Sequence, residues 1–209
     1  MIRHFTYPLV ISIACLMLAS CATFKEQATA EQLKTEPVTW AKEQQKRQLI
    51  KIWEIRGRLG VQTENNGGSM DIIWKQADDE YSIRLIAPLG SGNYLIQGDN
   101  NFAEVRFPDG EKKIIDNIDD IFASTLNVDL PVTAIKDWIR GLPAKAFTVE
   151  SIQWNEQGLL NKVKQSGWNV EMTNYNGTKI LLPHTVYLTR DDNPALDIRL
   201  VLRQWLIDN

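Results

Sequence analysis

From residue 53 the chain alternates. Trp53, Ile55, Gly57, Leu59 and Val61 share one face of an extended segment, with Glu54, Arg56, Arg58 and Gly60 on the other. This is the period-two signature of a half-buried strand. Asn65-Asn66-Gly67-Gly68 reads as a turn, after which Met70, Ile72 and Trp74 form one face of a second strand over 69–76. Asp78-Asp79 turns into Tyr81, Ile83 and Leu85, set against Ser82 and Arg84. Pro88-Leu89-Gly90 leads to a fourth strand with Tyr94 and Ile96 on its apolar side. Gly98-Asp99-Asn100 and Pro108-Asp109-Gly110 separate two more short runs, 102–107 and 112–116. Short strands at roughly ten-residue spacing predict an antiparallel meander, curved into a sheet or barrel.

Helical spacing replaces the alternation in three places. Over 37 to about 51, Trp40, Gln44, Arg47 and Ile50 fall near one stripe. Ile118, Ile121, Phe122, Thr125 and Leu126 make another stripe. Pro131 opens a third helix with Val132, Ile135, Trp138 and Ile139 on its apolar side, and Gly141-Leu142-Pro143 ends it. Strands resume at 147–154, 159–165, 168–175, 184–189 and 196–203. The expectation is a mainly β domain of about eleven antiparallel strands and about three helices. The central helices sit in one block within a run of strands, so they are not parallel-sheet crossovers. Packed across the open side of a curved sheet, they would leave an apolar space that a small closed barrel fills with its own side chains.

Ahead of these elements, residues 1–20 carry Arg3, no acidic group, and an apolar run from Tyr7 to Ala19 broken only by Pro8 and Ser12. The run is too short to span a bilayer and suits a signal-peptide core. It ends in Leu18-Ala19-Ser20-Cys21, which looks like the lipobox of bacterial lipoproteins. That resemblance implies cleavage before Cys21, a diacylglycerol on its thiol and a third acyl chain on its amine. Each buried CH₂ contributes about 0.8 kcal/mol, so three chains make an effectively permanent anchor. Ala22 stands where an aspartate would hold an enterobacterial lipoprotein in the inner membrane, and the expected address is the outer membrane, with the domain facing the periplasm. Residues 21–36 read as the lipidated N-terminus and a polar tether, and 37–209 as a single domain.

Composition narrows the chemistry. Without the leader the chain keeps 22 basic and 26 acidic residues, a formal charge of about −4, with no basic face to bind nucleic acid. Its two cysteines are Cys15, lost with the leader, and Cys21, so no disulfide supports the domain. His184 is the one histidine outside the leader. A His/Cys metal site and a Cys-His pair are therefore excluded, and no Gly-x-Ser-x-Gly elbow presents a serine. Gly90-Ser91-Gly92 lacks the lysine of a phosphate loop. Asp116, Asp119 and Asp120 suit carboxylates facing a helix dipole. No catalytic residue, metal or cofactor is expected. All seven tryptophans (Trp40, Trp53, Trp74, Trp138, Trp154, Trp168 and Trp205) lie in the domain, an excess that suits an apolar cavity.

Behind the lipobox come Trp53-Glu54-Ile55-Arg56-Gly57-Arg58-Leu59, Ile86-Ala87-Pro88-Leu89-Gly90-Ser91 and Asp137-Trp138-Ile139-Arg140-Gly141-Leu142-Pro143. In that order they resemble the outer-membrane lipoprotein receptor family LolB. The resemblance implies eleven antiparallel strands in a half-barrel, closed by helices over an apolar cavity. It implies that triacylated lipoproteins arrive on the periplasmic carrier LolA, that their acyl chains pass into this cavity, and that they are released into the outer membrane without cofactor or ATP. A monomer is expected. Fully burying one sixteen-carbon chain represents about 12 kcal/mol of gross transfer, so a receptor that must release it needs a cavity that is apolar but incomplete. The candidate lining residues are Ile72, Trp74, Tyr81, Ile83, Leu85, Tyr94, Ile96, Phe122, Trp138, Ile139 and Leu142. Leu89 sits in a turn between Pro88 and Gly90, where an apolar residue has no core to enter. The family pattern places an exposed leucine in this loop and associates it with delivery of cargo to the membrane. One leucine contributes about 1.5–3 kcal/mol, too little for an anchor, so its expected part is to orient the mouth and help release. The competing expectation is a lipid-binding or scaffolding lipoprotein of the outer membrane with no sorting role.

Overall fold

The computed structural model describes residues 35–88, 92–120, 122 and 130–208. Helix α1 (Trp40–Gln48) leads into β1 (Ile52–Gln62), β2 (Gly67–Ala77), β3 (Glu80–Ile86), β4 (Asn93–Gly98), β5 (Ala103–Arg106) and β6 (Lys112–Ile115). Helix α2 (Val132–Trp138) follows, then β7 (Val149–Trp154), β8 (Leu160–Gln165), β9 (Trp168–Thr173), β10 (Thr185–Arg190) and β11 (Asp197–Asp208). The strands form one sheet in the order β6-β5-β4-β3-β2-β1-β11-β10-β9-β8-β7, and every pairing is antiparallel. The last strand thus inserts beside the first and joins the two halves of the chain. Edges β6 and β7 do not pair with each other, so the sheet stays open.

The alternation read from the sequence becomes the two faces of this sheet. Trp53, Ile55, Leu59, Ile72, Trp74, Tyr81, Ile83, Leu85, Ile96, Val105, Val163, Val170, Met172, Val186, Leu188, Ile198, Leu200 and Leu202 are buried in one continuous core. Glu54, Lys75, Arg56, Arg58 and Asp71 lie on the opposite face, where Lys75–Glu54 and Arg58–Asp71 link β1 to β2 and Arg56–Glu54 pairs within β1. Those pairs are exposed and contribute little each.

β11 runs to Asp208, past the expected end at 203. The reason is a bulge. Arg56 pairs with Gln204 but Gly57 pairs with Leu202, leaving Arg203 as the extra residue. Beyond it the inward phase shifts to Trp205 and Ile207, which a strict period of two does not follow. Gly57 permits the bulge, because a Cβ there would lie 2.2 Å from the Val201 carbonyl oxygen.

Two of the expected helices are present, both shorter than the sequence pattern indicated. The helix expected over 118–126 falls mostly outside the described residues, so among those residues the covering elements are α1 and α2. α2 ends as its sequence dictates. Gly141 N–H donates to Trp138 O and Leu142 N–H to Asp137 O, the paired bonds of a Schellman stop. Gly141 holds φ +73°, the left-handed conformation this stop requires.

Candidate functional site

Most of the expected lining residues come together in one core. Ile72, Trp74, Tyr81, Ile83, Leu85 and Ile96 are buried on β2, β3 and β4, with Tyr94 half-buried beside them. Trp138 and Ile139 are fully buried at the end of α2, and Phe122 and Leu142 are buried as well. All of them except Leu142 belong to or pack against one continuous core. The face is a stack of rings and branched chains with an open pocket at each end.

The tryptophan rings form three groups. Trp53 touches Trp74 at 5.4 Å and Trp205 at 5.6 Å between centroids. Trp138 meets Phe147 at 5.9 Å and Trp168 at 6.2 Å. Trp40 of α1 meets Trp154 of β7 at 6.3 Å. Tyr81 turns its hydroxyl to the Phe102 carbonyl. Burial raises its pKa to about 12, and the negative charges of Asp99 and Asp119 push the same way.

α2 lies across this face and is fastened on both sides. Lys136 Nζ donates to Asp78 O in the β2–β3 turn at 3.2 Å. Arg140, just past the helix, donates to Ile50 O at 3.0 Å and pairs with Asp137. Desolvation lowers the Arg140 pKa from its ordinary value, and Asp137 opposes that shift. Asp137 also accepts from the Lys145 N–H. On the far side stands Gln165 of β8, with no exposed surface. Its Oε1 accepts from Trp138 Nε1 and from Ala144 N–H, each at 2.9 Å. Its Nε2 donates to Ala144 O at 2.9 Å and Phe147 O at 3.0 Å. An amide has four hydrogen-bonding positions, and all four are used here.

Two of the open pockets differ in character. One, of about 530 Å³, lies where α2 meets the β2–β3 turn, with Ile50, Trp53 and Trp74 as apolar walls and Lys51, Lys136, Arg140, Lys145, Asp78, Asp79, Asp99 and Asp116 among its lining. The other, of about 590 Å³, lies at the opposite end of the strands. Leu59, Val61, Met70, Ala87 and Pro88 line it with the polar hairpin Thr63, Glu64, Asn65 and Asn66, together with Asn193. It abuts the loop that the sequence singled out. Ala87 N–H donates to Gly92 O at 3.0 Å and closes the base of that loop. Gly92 also packs where a Cβ would come within 2.6 Å of Pro108. Cys21, Leu89 and Gly90 lie outside the described residues; Pro88 is the loop residue placed at the pocket.

The sequence reading missed Gln165 and the Leu59, Val61 and Met70 end of the inward face. Gln165 carried a signal, being a polar residue at an inward position of an alternating strand. Leu59, Val61 and Met70 were visible as strand faces, but only the register of β1 with β2 sets them beside Pro88.

A family model described as outer membrane lipoprotein LolB matches residues 51–205. The outer-membrane lipoprotein LolB of Nitrosococcus oceani is 26% identical over 197 residues, covering 94% of this chain and 95% of its own length. That of Francisella tularensis subsp. novicida is 29% identical over 203 residues, covering 95% of this chain and 93% of its own length. Among solved structures, a LolA superfamily protein from Nitrosomonas europaea aligns with a TM-score of 0.57 at 7% identity, over 83% of this chain and 95% of that one. A DUF1329 family protein from Desulfovibrio piger aligns with a TM-score of 0.53 at 9% identity, over 83% of this chain and 94% of that one. At such identities these two structures speak to the fold alone. The match to the family model spans most of the sheet and all of α2, and the chain belongs to the outer membrane lipoprotein LolB family.

Proposed function

We propose that this chain is an outer-membrane lipoprotein receptor that takes triacylated lipoproteins from the soluble carrier LolA and inserts them into the outer membrane. The observation that carries the reading is the open sheet with a continuous apolar inward face, crossed by α2, in a chain of this family. An open sheet can part from its cover without breaking its own ladder, whereas a closed barrel cannot. The side chains of Ile72, Trp74, Tyr81, Ile83, Leu85, Tyr94, Ile96, Phe122, Trp138, Ile139 and Leu142 receive the acyl chains, exchanging contacts with one another for contacts with lipid. That exchange keeps net affinity well below the ~12 kcal/mol of gross transfer for one chain, which release requires. The protein acts as a carrier, without catalytic chemistry.

In this reading residues 1–20 are removed, Cys21 carries the lipid, and residues 21–36 tether the domain 37–209 to the membrane on its periplasmic side. Because the tether separates anchor from site, a form lacking Cys21 accepts cargo and keeps part of its activity. Pro88, Leu89 and Gly90 meet the bilayer at the mouth. Leu89→Glu tests the reading by splitting it into steps. Cargo receipt from the carrier stays near the wild-type rate, while insertion into vesicles stops. Normal insertion by this variant excludes the role of Leu89, and failure of the wild-type chain to take cargo favours the lipid-binding or scaffolding alternative.

A further inference from the structure

We infer that the pocket beside Pro88 selects for an uncharged acylglyceryl group and rejects anionic phospholipid; this rests on the acyl-chain reading above. Five apolar residues, Leu59, Val61, Met70, Ala87 and Pro88, line a space of about 590 Å³. Its polar lining includes Asn65, Asn66 and Asn193, whose side-chain amides suit ester and amide groups. Among the described residues the lining holds one charge, Glu64, and no lysine, arginine or histidine.

Two basic groups near this end are committed elsewhere. Arg58 lies on the opposite face of β1, donates to Ser69 Oγ at 3.0 Å and faces Asp71 at 3.9 Å. Arg190 is held by Asp192 at 2.8 Å and lies over the Trp168 ring. The pocket at the other end of the strands has Lys51, Lys136, Arg140 and Lys145 in its lining, so the lack of a cation here is local and not a property of the whole molecule.

A phosphate entering this mouth would leave its hydration without gaining a cation and would meet the Glu64 carboxylate. An acylglyceryl thioether, whose polar groups are esters and amides, meets neither penalty. Selection of this kind solves a problem of place. A protein held against a bilayer meets phospholipid in large excess over cargo, and a mouth that took either would be occupied by its surroundings.

The test uses the full chain in phosphatidylcholine vesicles carrying one of two photoreactive lipids with the same acyl chain, an uncharged acylglycerol or a phosphatidylglycerol. Adducts are mapped by mass spectrometry. The uncharged probe labels the Leu59, Val61 and Met70 segment about tenfold more than the anionic one. The preference narrows as salt rises, because the repulsion is screened. Glu64→Lys and, on a separate loop, Asn193→Lys each raise anionic labelling severalfold; both side chains are at the exposed rim, so the fold survives. Equal labelling of the wild-type segment by both probes overturns the selectivity and leaves acyl-chain binding standing. No labelling of the segment by either probe overturns both.

Discussion

Gln165 shows how one polar side chain can hold an apolar assembly in place. It joins β8 to the Trp138 indole and to the backbone at Ala144 and Phe147. Leucine at this position would leave an indole N–H, an amide N–H and two carbonyls without partners, at about 1–3 kcal/mol for each group left buried and unpaired. Gln165→Leu is therefore expected to lower stability by about 3 kcal/mol or more, read as a shift in the urea midpoint at unchanged slope. Arg47 presents a related case. It is fully buried in α1 and donates to Glu43 Oε2 at 2.8 Å and to Leu181 O at 2.7 Å. Partial burial alone would raise the Glu43 pKa, but hydrogen bonds from Lys46 and Arg47 and their charges hold it below the usual carboxylate range. The unfolded chain then binds that proton more tightly than the folded one. Stability from Glu43 is complete above the unfolded carboxylate value and is lost as pH falls through the lower folded value. Glu43→Gln should be less stable than wild type at neutral pH, and the gap should close in acid; a gap independent of pH would assign the loss to packing.

At the scale of elements, the bulge between β1 and β11 decides how the two halves of the chain meet. Gly57→Ala places a methyl group against the Val201 carbonyl. It is expected to cost about 1–3 kcal/mol through the strain of overpacking, measured by thermal or urea unfolding. Gly60→Ala on the same strand is the control, since its Cβ would meet the Arg199 carbonyl oxygen at an ordinary 3.8 Å. The strands themselves were legible because each buries one face, so apolar residues recur at every second position. The lower half of β11 was not, because the bulge at Arg203 shifts the phase and Gln204 breaks the run. The stop after α2 was legible from Gly141-Leu142-Pro143 because the Schellman geometry needs glycine. The apolar faces of β2, β3 and β4 were legible for the same reason as the strands: Ile72, Trp74, Tyr81, Ile83, Leu85 and Ile96 are buried there, with Tyr94 half-buried. What escaped was long-range. The pairing of Gln165 with Trp138 spans 27 positions, and no local pattern announces it. The fastening of α2 to Ile50 and Asp78 is set by the closure of the whole sheet.

On the scale of the whole molecule, the sheet presents an apolar interior under α2, a charged pocket at one end and a nearly uncharged pocket at the other. A carrier of acyl chains needs a large apolar face of this kind. His184→Ala should accordingly leave cargo transfer unchanged, since the backbone of His184 holds its place in the sheet through bonds to Thr173 O and Asn174 O; loss of activity in a correctly folded variant would point to an enzyme instead. The central claim is tested most directly by following a labelled triacylated lipoprotein. It is loaded on the periplasmic carrier and mixed with the full chain in vesicles, and label is measured on carrier, chain and membrane over time. The account predicts that label leaves the carrier, appears transiently on this chain and accumulates in the membrane. Label that stays on the carrier, or reaches this chain and remains there, would contradict it.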